Sequence, residues 1–142
     1  MPAVSDFLAG HKRVGVDANV VIALVEKNLD FREQIKEIFA LADDIGSEIW
    51  ISAIGVTEIL IKPTQTKNFA LQHQYELALF SGRFSFAPIS LEAARRAASF
   101  DLKVRDALHI ASLLEAGVTG FVTADRAIKS IKGLEVLTLM PA

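Results

Sequence analysis

Cysteine is absent from the 142-residue sequence, which excludes disulfide bonds and thiolate chemistry. Long uncharged apolar runs are also missing, and none approaches the length that crosses a membrane. The first residues do not join a basic stretch to an apolar one, so we expect no secretory signal. Charged residues make up only 23% of the chain and apolar residues 51%, which is typical of a folded domain. We therefore predict a cytoplasmic protein that does not bind membranes.

Low-complexity tracts, internal repeats and flexible linkers are lacking as well, so nothing in the sequence indicates a domain boundary. A chain of 142 residues suits one domain around one hydrophobic core, and we predict a single domain over residues 1–142. The net charge of −2 does not by itself indicate nucleic acid binding. If several acids are sequestered in a site, however, the remaining surface carries more basic than acidic side chains.

Strand-like runs alternate with helix-like runs along the chain. Local composition predicts strands at 13–17, 48–52, 84–88, 120–123 and 134–139. Apolar periodicity and capping residues predict helices at 19–27, 31–46, 53–61, 64–80, after Ser90, at 103–116 and at 124–131. The helix at 53–61 should end before Pro63, because proline disfavours the helical conformation in the residue that precedes it. The alternation predicts an α/β fold with three layers and a central, mainly parallel five-stranded sheet.

Two acidic residues stand where predicted strands end. Asp17 ends the first strand, and Asp125 lies two residues past the fourth. Each can be interpreted as the N-cap of the helix that follows, which is the simpler explanation for either residue alone. In open α/β sheets, however, ligands bind beyond the carboxyl ends of the strands, so both residues are also candidates for a ligand site.

Glu58 lies in ISAIGVTEILI, the most apolar of the predicted helical segments. An unpaired carboxylate in such a setting costs several kcal/mol of desolvation, so Glu58 must be protonated, paired or bound to a cation. An ion pair with Lys62, one helical turn away, is the simple structural explanation.

Asp106 has the same character in LKVRDALHIASLLEAG, where both helix faces are largely apolar. A pair with Arg105 or Lys103, or a hydrogen bond to His109, would explain it structurally. One cation site shared by the four acids accounts for all of them more economically than four separate explanations do.

Four short motifs carry these acids in a fixed order, namely VDANVVIAL, TEIL, RDALHIA and TADRAI. Together they resemble the four acidic motifs of PIN-domain proteins, and in particular those of the VapC-type ribonuclease toxins of prokaryotic toxin–antitoxin pairs. The resemblance extends from Val14 to Thr138. Many relatives have proline before the third acid, where this chain has Arg105, which leaves the acid in place. The acidic positions of the family correspond to Asp17, Glu58, Asp106 and Asp125, and its hydroxyl or amide positions to Asn19 and Thr123.

The resemblance implies a metal-dependent endoribonuclease with hard oxygen ligands, which favour Mg²⁺ or Mn²⁺ over Zn²⁺. In this interpretation Asp17 is the central metal ligand and Asp106 a second one, while Asp125 binds directly or through water. Glu58 orients the attacking water or completes the metal site. Such cations activate water and stabilise the attacking and leaving oxygens of a phosphodiester during hydrolysis.

Three further residues have supporting roles in this interpretation. Asn19 and Thr123 would support the acids by hydrogen bonds. Arg126 is a candidate phosphate contact because it adjoins Asp125, although an arginine in the first turn of a helix is more often merely solvated. His109 is interpreted as a surface or helix-packing residue, with an indirect role through Asp106 as the alternative.

The same resemblance implies an RNA substrate, a homodimer and a small cognate antitoxin protein that blocks the site. Some members of the family have lost activity, so a catalytically idle PIN-like binding or scaffold module is the main alternative. A phosphatase of the haloacid-dehalogenase type fits less well, because it needs a second acid two residues after Asp17, where this chain has Asn19. A receiver domain of a signalling protein also fits poorly, because it needs a lysine after the last strand and this chain has none there.

Overall fold

The computed structural model describes residues 2–129 and 131–141. In these ranges the strands are β1 Arg13–Val16, β2 Glu48–Ser52, β3 Phe84–Ala87, β4 Gly120–Thr123 and β5 Glu135–Thr138. The helices are α1 Pro2–Ala9, α2 Ala18–Val25, α3 Arg32–Ile45, α4 Ala53–Gln65, α5 Phe69–Leu79, α6 Leu91–Ala97 and α7 Val104–Glu115. In the part of the chain that the structure describes, none of these helices is long and apolar enough to cross a membrane.

The five strands form one parallel sheet in the order β3-β2-β1-β4-β5. Val16 of β1 pairs with Val122 of β4, so these two neighbouring strands end side by side. Successive strands are added on opposite sides of β1, first β2 and β3, then β4 and β5. The crevice beyond the ends of β1 and β4 is therefore the topological switch point, where α/β proteins bind ligands.

Alternate strand residues face two different helical layers. Val14 and Val16 of β1 pack with helices α1 to α5 in the larger core. On the other face, Phe121 of β4 packs with Leu113 of α7 in a smaller core. A Cβ atom on Gly15 would lie 2.7 Å from Leu113 Cδ1, so glycine lets α7 approach β1 closely. The predicted three-layer α/β fold with a parallel five-stranded sheet is confirmed.

The predicted end of a helix before Pro63 is wrong, because α4 continues through Pro63 to Gln65. A proline inside a helix removes the hydrogen bond of its own nitrogen, here the one to the Ile59 carbonyl. Pro63 and Ile59 are both buried, so their packing offsets this loss. The helix therefore ends one turn later than the local rule predicts.

The single helix predicted at 64–80 is also wrong. The helix breaks after α4, where Lys67 adopts the left-handed conformation with a φ of 55°. Asn68 then begins α5, because its side chain accepts the Leu71 N–H at 3.2 Å. The N-terminal helix α1 has no counterpart in the sequence prediction.

The short helix predicted at 124–131 is not formed in the residues described there, and Ser130 lies outside them. The Asp125 side chain accepts the Ala127 N–H at 2.9 Å, two residues on. This Asx-turn contact competes with helix formation, so the segment forms a turn instead. Other local predictions are confirmed: Ser90 caps α6 by accepting the Ala93 N–H at 3.0 Å.

Candidate active site

A pocket at the switch point is lined by side chains from all four predicted acidic positions. Asp17 follows β1, Asp125 follows β4, Glu58 lies on α4 and Asp106 lies in the first turn of α7. Asn19, Arg105 and His109 line the same pocket. The fold thus brings four separate sequence motifs to one concave surface beyond the carboxyl ends of the central strands.

Asp17 is the most buried of these acids, with 7% of its surface exposed. It caps α2, because its Oδ1 accepts the Val20 N–H at 3.1 Å, which confirms the N-cap interpretation. Its Oδ2 accepts the hydroxyl hydrogen of Thr123. Burial raises the pKa of the Asp17 carboxyl above its ordinary value, although these hydrogen bonds act in the opposite direction. The cap does not exclude a ligand role, because it uses one lone pair of one oxygen.

Thr123 joins the acids of the two central strands. It lies at the end of β4 and is fully buried. Its Oγ1 donates to Asp17 and accepts the Asp125 N–H at 3.0 Å. Asp125 itself is exposed and is not an N-cap, since the residues described after it form a turn. One buried hydroxyl therefore sets the relative placement of Asp17 and of the Asp125 backbone.

Glu58 is held by two residues of α7. His109 Nε2 contacts its Oε1, and Arg105 Nε lies 3.3 Å from its Oε2. Its side chain is 25% exposed. Among the described residues these two are its ion-pair partners, rather than Lys62, which the sequence suggested as the simple explanation.

Asp106 faces the same guanidinium, since Arg105 Nε lies 3.9 Å from its Oδ1. Of the pairings that the sequence offered for Asp106, the one with Arg105 is present. The hydrogen bond to His109 is not formed, because the His109 ring contacts Ser52 through Nδ1 and Glu58 through Nε2. An indirect role for His109 therefore runs through Glu58 rather than through Asp106.

The donor chemistry of the pocket suits a hard divalent cation, because its charged lining includes four carboxylates. A bound cation would also offset the cost of burying the Asp17 carboxylate. Within residues 2–129 and 131–141, however, no three acidic or histidine side chains form a ready-made metal-binding group. Arg105 stands between Glu58 and Asp106, so binding there requires the guanidinium to move.

The two remaining predicted positions lie at the margin. Asn19 is exposed in the first turn of α2 and lines the pocket, but no hydrogen bond among the described residues joins its side chain to the acids. Arg126 is exposed in the turn after Asp125 and does not line the pocket.

The sequence prediction did not include Ser52 among the residues of the site. Its position between a strand and a helix indicates an N-cap, but its contact with His109 has no local signal.

Residues 14–134 of the chain match the sequence model of the PIN domain family. No curated protein sequence matches. Solved structures share the fold. One contains VapBC2 from Rickettsia felis bound to a DNA fragment from their promoter, with a TM-score of 0.72, 15% identity, and coverage of 89% of this chain and 98% of that one.

A toxin–antitoxin complex from Klebsiella pneumoniae has a TM-score of 0.65 and 22% identity, over 85% of this chain and 94% of that one. VapC20 from Mycobacterium tuberculosis, a toxin that cleaves the sarcin–ricin loop, has a TM-score of 0.60 and 13% identity, over 76% and 86%. At these identities the likeness concerns the fold.

Proposed function

The chain belongs to the PIN domain family, and from this premise we propose that it is a metal-dependent endoribonuclease, the toxin of a toxin–antitoxin pair. The observation that carries the proposal is that four acids from four separate motifs line one pocket. Structures with the same fold include a toxin–antitoxin complex and a toxin that cleaves the sarcin–ricin loop, which supports RNA as the substrate class.

The acids have distinct roles in this proposal. Asp17, Asp106 and Asp125 hold Mg²⁺ or Mn²⁺, with Asp17 oriented by its bond from Thr123. A bound ion of this kind supplies charge stabilisation to the attacking and leaving oxygens of the phosphodiester. Glu58, on the α4 wall of the pocket, orients the attacking water.

Supporting groups and partners complete the proposal. Asn19 lies at the pocket lining next to the Asp17 cap, and Arg126 offers an exposed charge beside Asp125 for an RNA phosphate. The protein acts in the cytoplasm as a single-domain homodimer, and a small antitoxin protein blocks the pocket. A scaffold module without activity is the alternative, favoured by the pairing of Glu58 with Arg105 and His109.

Purified protein, freed of any bound partner, tests the nuclease directly. We expect it to cut RNA in Mg²⁺ or Mn²⁺, to stop in EDTA, and to leave DNA of the same sequence uncut. Metal binding should also raise the melting temperature, since a ligand at 100 times its Kd stabilises a protein by about 2.7 kcal/mol. Failure to cut RNA with either metal would overturn the nuclease proposal, and an unchanged melting temperature as well would favour the scaffold.

Replacing Arg105 by alanine should tighten Mn²⁺ binding. The guanidinium lies near Glu58 and Asp106, where it competes with an incoming cation. Its side chain is 61% exposed, so water screens the repulsion. Two unit charges 4 Å apart in water interact by about 1 kcal/mol, which corresponds to a Kd about fivefold lower in Arg105→Ala.

Isothermal titration of the metal-free protein with Mn²⁺ measures this effect. Arg95→Ala is the matched control, because Arg95 is an exposed arginine of α6 that does not line the pocket. That variant should bind Mn²⁺ as the wild type does. If Arg105→Ala bound the ion no more tightly than Arg95→Ala, Arg105 would not compete with the metal.

A further inference from the structure

A chain of hydrogen bonds joins the start of α4 to Glu58 through the ring of His109. The Gly55 N–H donates to Ser52 Oγ at 3.2 Å, as the N-cap bond of α4. Ser52 Oγ lies 2.5 Å from His109 Nδ1, and His109 Nε2 contacts Glu58 Oε1. Both ends of this series of hydrogen bonds lie in α4, whereas the His109 ring comes from α7. The ring therefore ties Glu58 to the N-terminus of its own helix.

The acceptors decide which ring nitrogen carries the proton. An ionised Glu58 can only accept a hydrogen bond, so His109 Nε2 carries a hydrogen. Ser52 Oγ already accepts the Gly55 N–H, and the acceptor that lies within reach of its own hydrogen is His109 Nδ1, at 2.5 Å from Oγ. This pattern assigns the neutral tautomer with the proton on Nε2.

The His109 ring has little space to move. His109 is 5% exposed and Ser52 is fully buried. A Cβ atom on Gly55 would lie 3.0 Å from His109 Cε1, so the glycine provides the space that the ring occupies. Arg105, the other partner of Glu58, has a side chain that is 61% exposed. His109 is thus the fixed partner of Glu58 and Arg105 the displaceable one.

We propose that His109 is a positioning residue, which binds one carboxylate oxygen of Glu58 so that the other oxygen alone acts in the pocket. The proposal rests on the nuclease function proposed above. With Oε1 bound to the ring, Glu58 presents Oε2, which in the structure faces Arg105. When the guanidinium moves away, this single oxygen orients the attacking water. Carboxylates at metal sites commonly depend on such outer hydrogen-bond partners, and losing one costs about 10–100-fold in affinity or activity.

Two substitutions of similar polarity separate the two bonds of the ring. Glutamine can place its amide nitrogen near the position of Nε2 and so keep a donor to Glu58. Asparagine reaches only the position of Nδ1, so it keeps a contact with Ser52 and loses the hydrogen bond to Glu58. We expect His109→Asn to lower kcat on RNA about 10–100-fold with little change in KM. His109→Gln should restore most of this loss, and melting temperatures of both variants report any general damage to the fold.

A double-mutant cycle shows whether His109 acts through Glu58. In a Glu58→Ala background, His109→Asn should lower kcat no further, because the carboxylate that it positions is already gone. An equal loss in both backgrounds, or equal kcat for His109→Gln and His109→Asn, would overturn the inference. A wild type that cuts no RNA would instead overturn the proposed function.

Nitrogen NMR of the His109 ring tests the positioning without any activity. In the metal-free wild type we expect a protonated Nε2 and an unprotonated Nδ1. In Glu58→Ala the exchange of the Nε2 proton with water should become faster, because its acceptor is lost. A proton on Nδ1 instead of Nε2, or unchanged exchange in Glu58→Ala, would contradict the contact on which the inference depends.

Discussion

Asp17→Asn is expected to abolish RNA cleavage and at the same time to make the metal-free protein more stable. Asparagine keeps an oxygen for the Val20 N–H and places an amide beside Thr123, so the cap of α2 survives. The substitution removes the buried charge that the proposed metal needs. The loss of cleavage should exceed the roughly 10–100-fold that the loss of an outer partner costs, because Asp17 is the proposed central ligand.

The gain in stability follows from the direction of the pKa shift. Burial raises the pKa of Asp17 above its ordinary value of 3.8. The folded protein then binds a proton at this carboxyl more readily than the unfolded chain does. Ionised Asp17 therefore lowers the free energy of unfolding progressively as the pH rises from 3.8 through the raised pKa, and by a constant amount above it.

Urea denaturation in EDTA over a series of pH values measures this contribution. The difference in unfolding free energy between Asp17→Asn and wild type should grow over that acidic range and then level off. Asp6→Asn is the matched control, since Asp6 is exposed on α1, and it should change neither stability nor cleavage. An Asp17→Asn protein that still cuts RNA contradicts the metal-ligand role. One that is less stable than wild type at neutral pH contradicts the burial argument.

Thr123→Val is expected to damage both stability and cleavage, although valine has nearly the shape of threonine. The substitution removes the donor to the Asp17 carboxylate and the acceptor of the Asp125 N–H. A hydrogen bond to a charged group contributes about 1.5–3 kcal/mol, so the free energy of unfolding at neutral pH should fall by about this amount. Cleavage should fall about 10–100-fold, because Asp17 loses the partner that orients it.

Thr123→Ser is the control, because serine keeps the hydroxyl group and loses only a methyl group. It should retain most of the cleavage and stability that Thr123→Val loses. In an Asp17→Asn background the stability cost of Thr123→Val should shrink, because the partner of the Thr123 hydroxyl at residue 17 is then no longer a charged carboxylate. If Thr123→Val and Thr123→Ser behaved alike in denaturation and cleavage assays, the hydroxyl would not carry the role assigned to it.

Short-range patterns were sufficient for most of the secondary structure. The strand EIWIS is correctly predicted over Glu48–Ser52, because β-branched and aromatic residues favour a buried strand. Ser90 is correctly predicted as a cap, because a serine before a helix satisfies a free N–H within its own turn. These features depend on residues that are neighbours in the chain.

Local rules failed where a competing contact decided the outcome. Buried packing carries α4 through Pro63, and the turn around Asp125 replaces a predicted helix. Lys67 takes a left-handed conformation that divides a predicted long helix in two. None of these outcomes follows from hydrophobic periodicity, because the Asp125 turn depends on a side-chain contact with the backbone and the continuation of α4 on the burial of Pro63.

The sequence by itself determined that acids follow the first and fourth strands, and that two more interrupt apolar helices. It also determined the α/β alternation, from which the common edge of Asp17 and Asp125 follows because parallel strands end together. Only the tertiary structure decided the partners of Glu58. His109 lies 51 residues away from it in the chain, and their contact exists because α7 packs against α4 where Gly55 leaves space for the ring. Contacts of this kind depend on how two helices meet, which no local pattern in either helix contains.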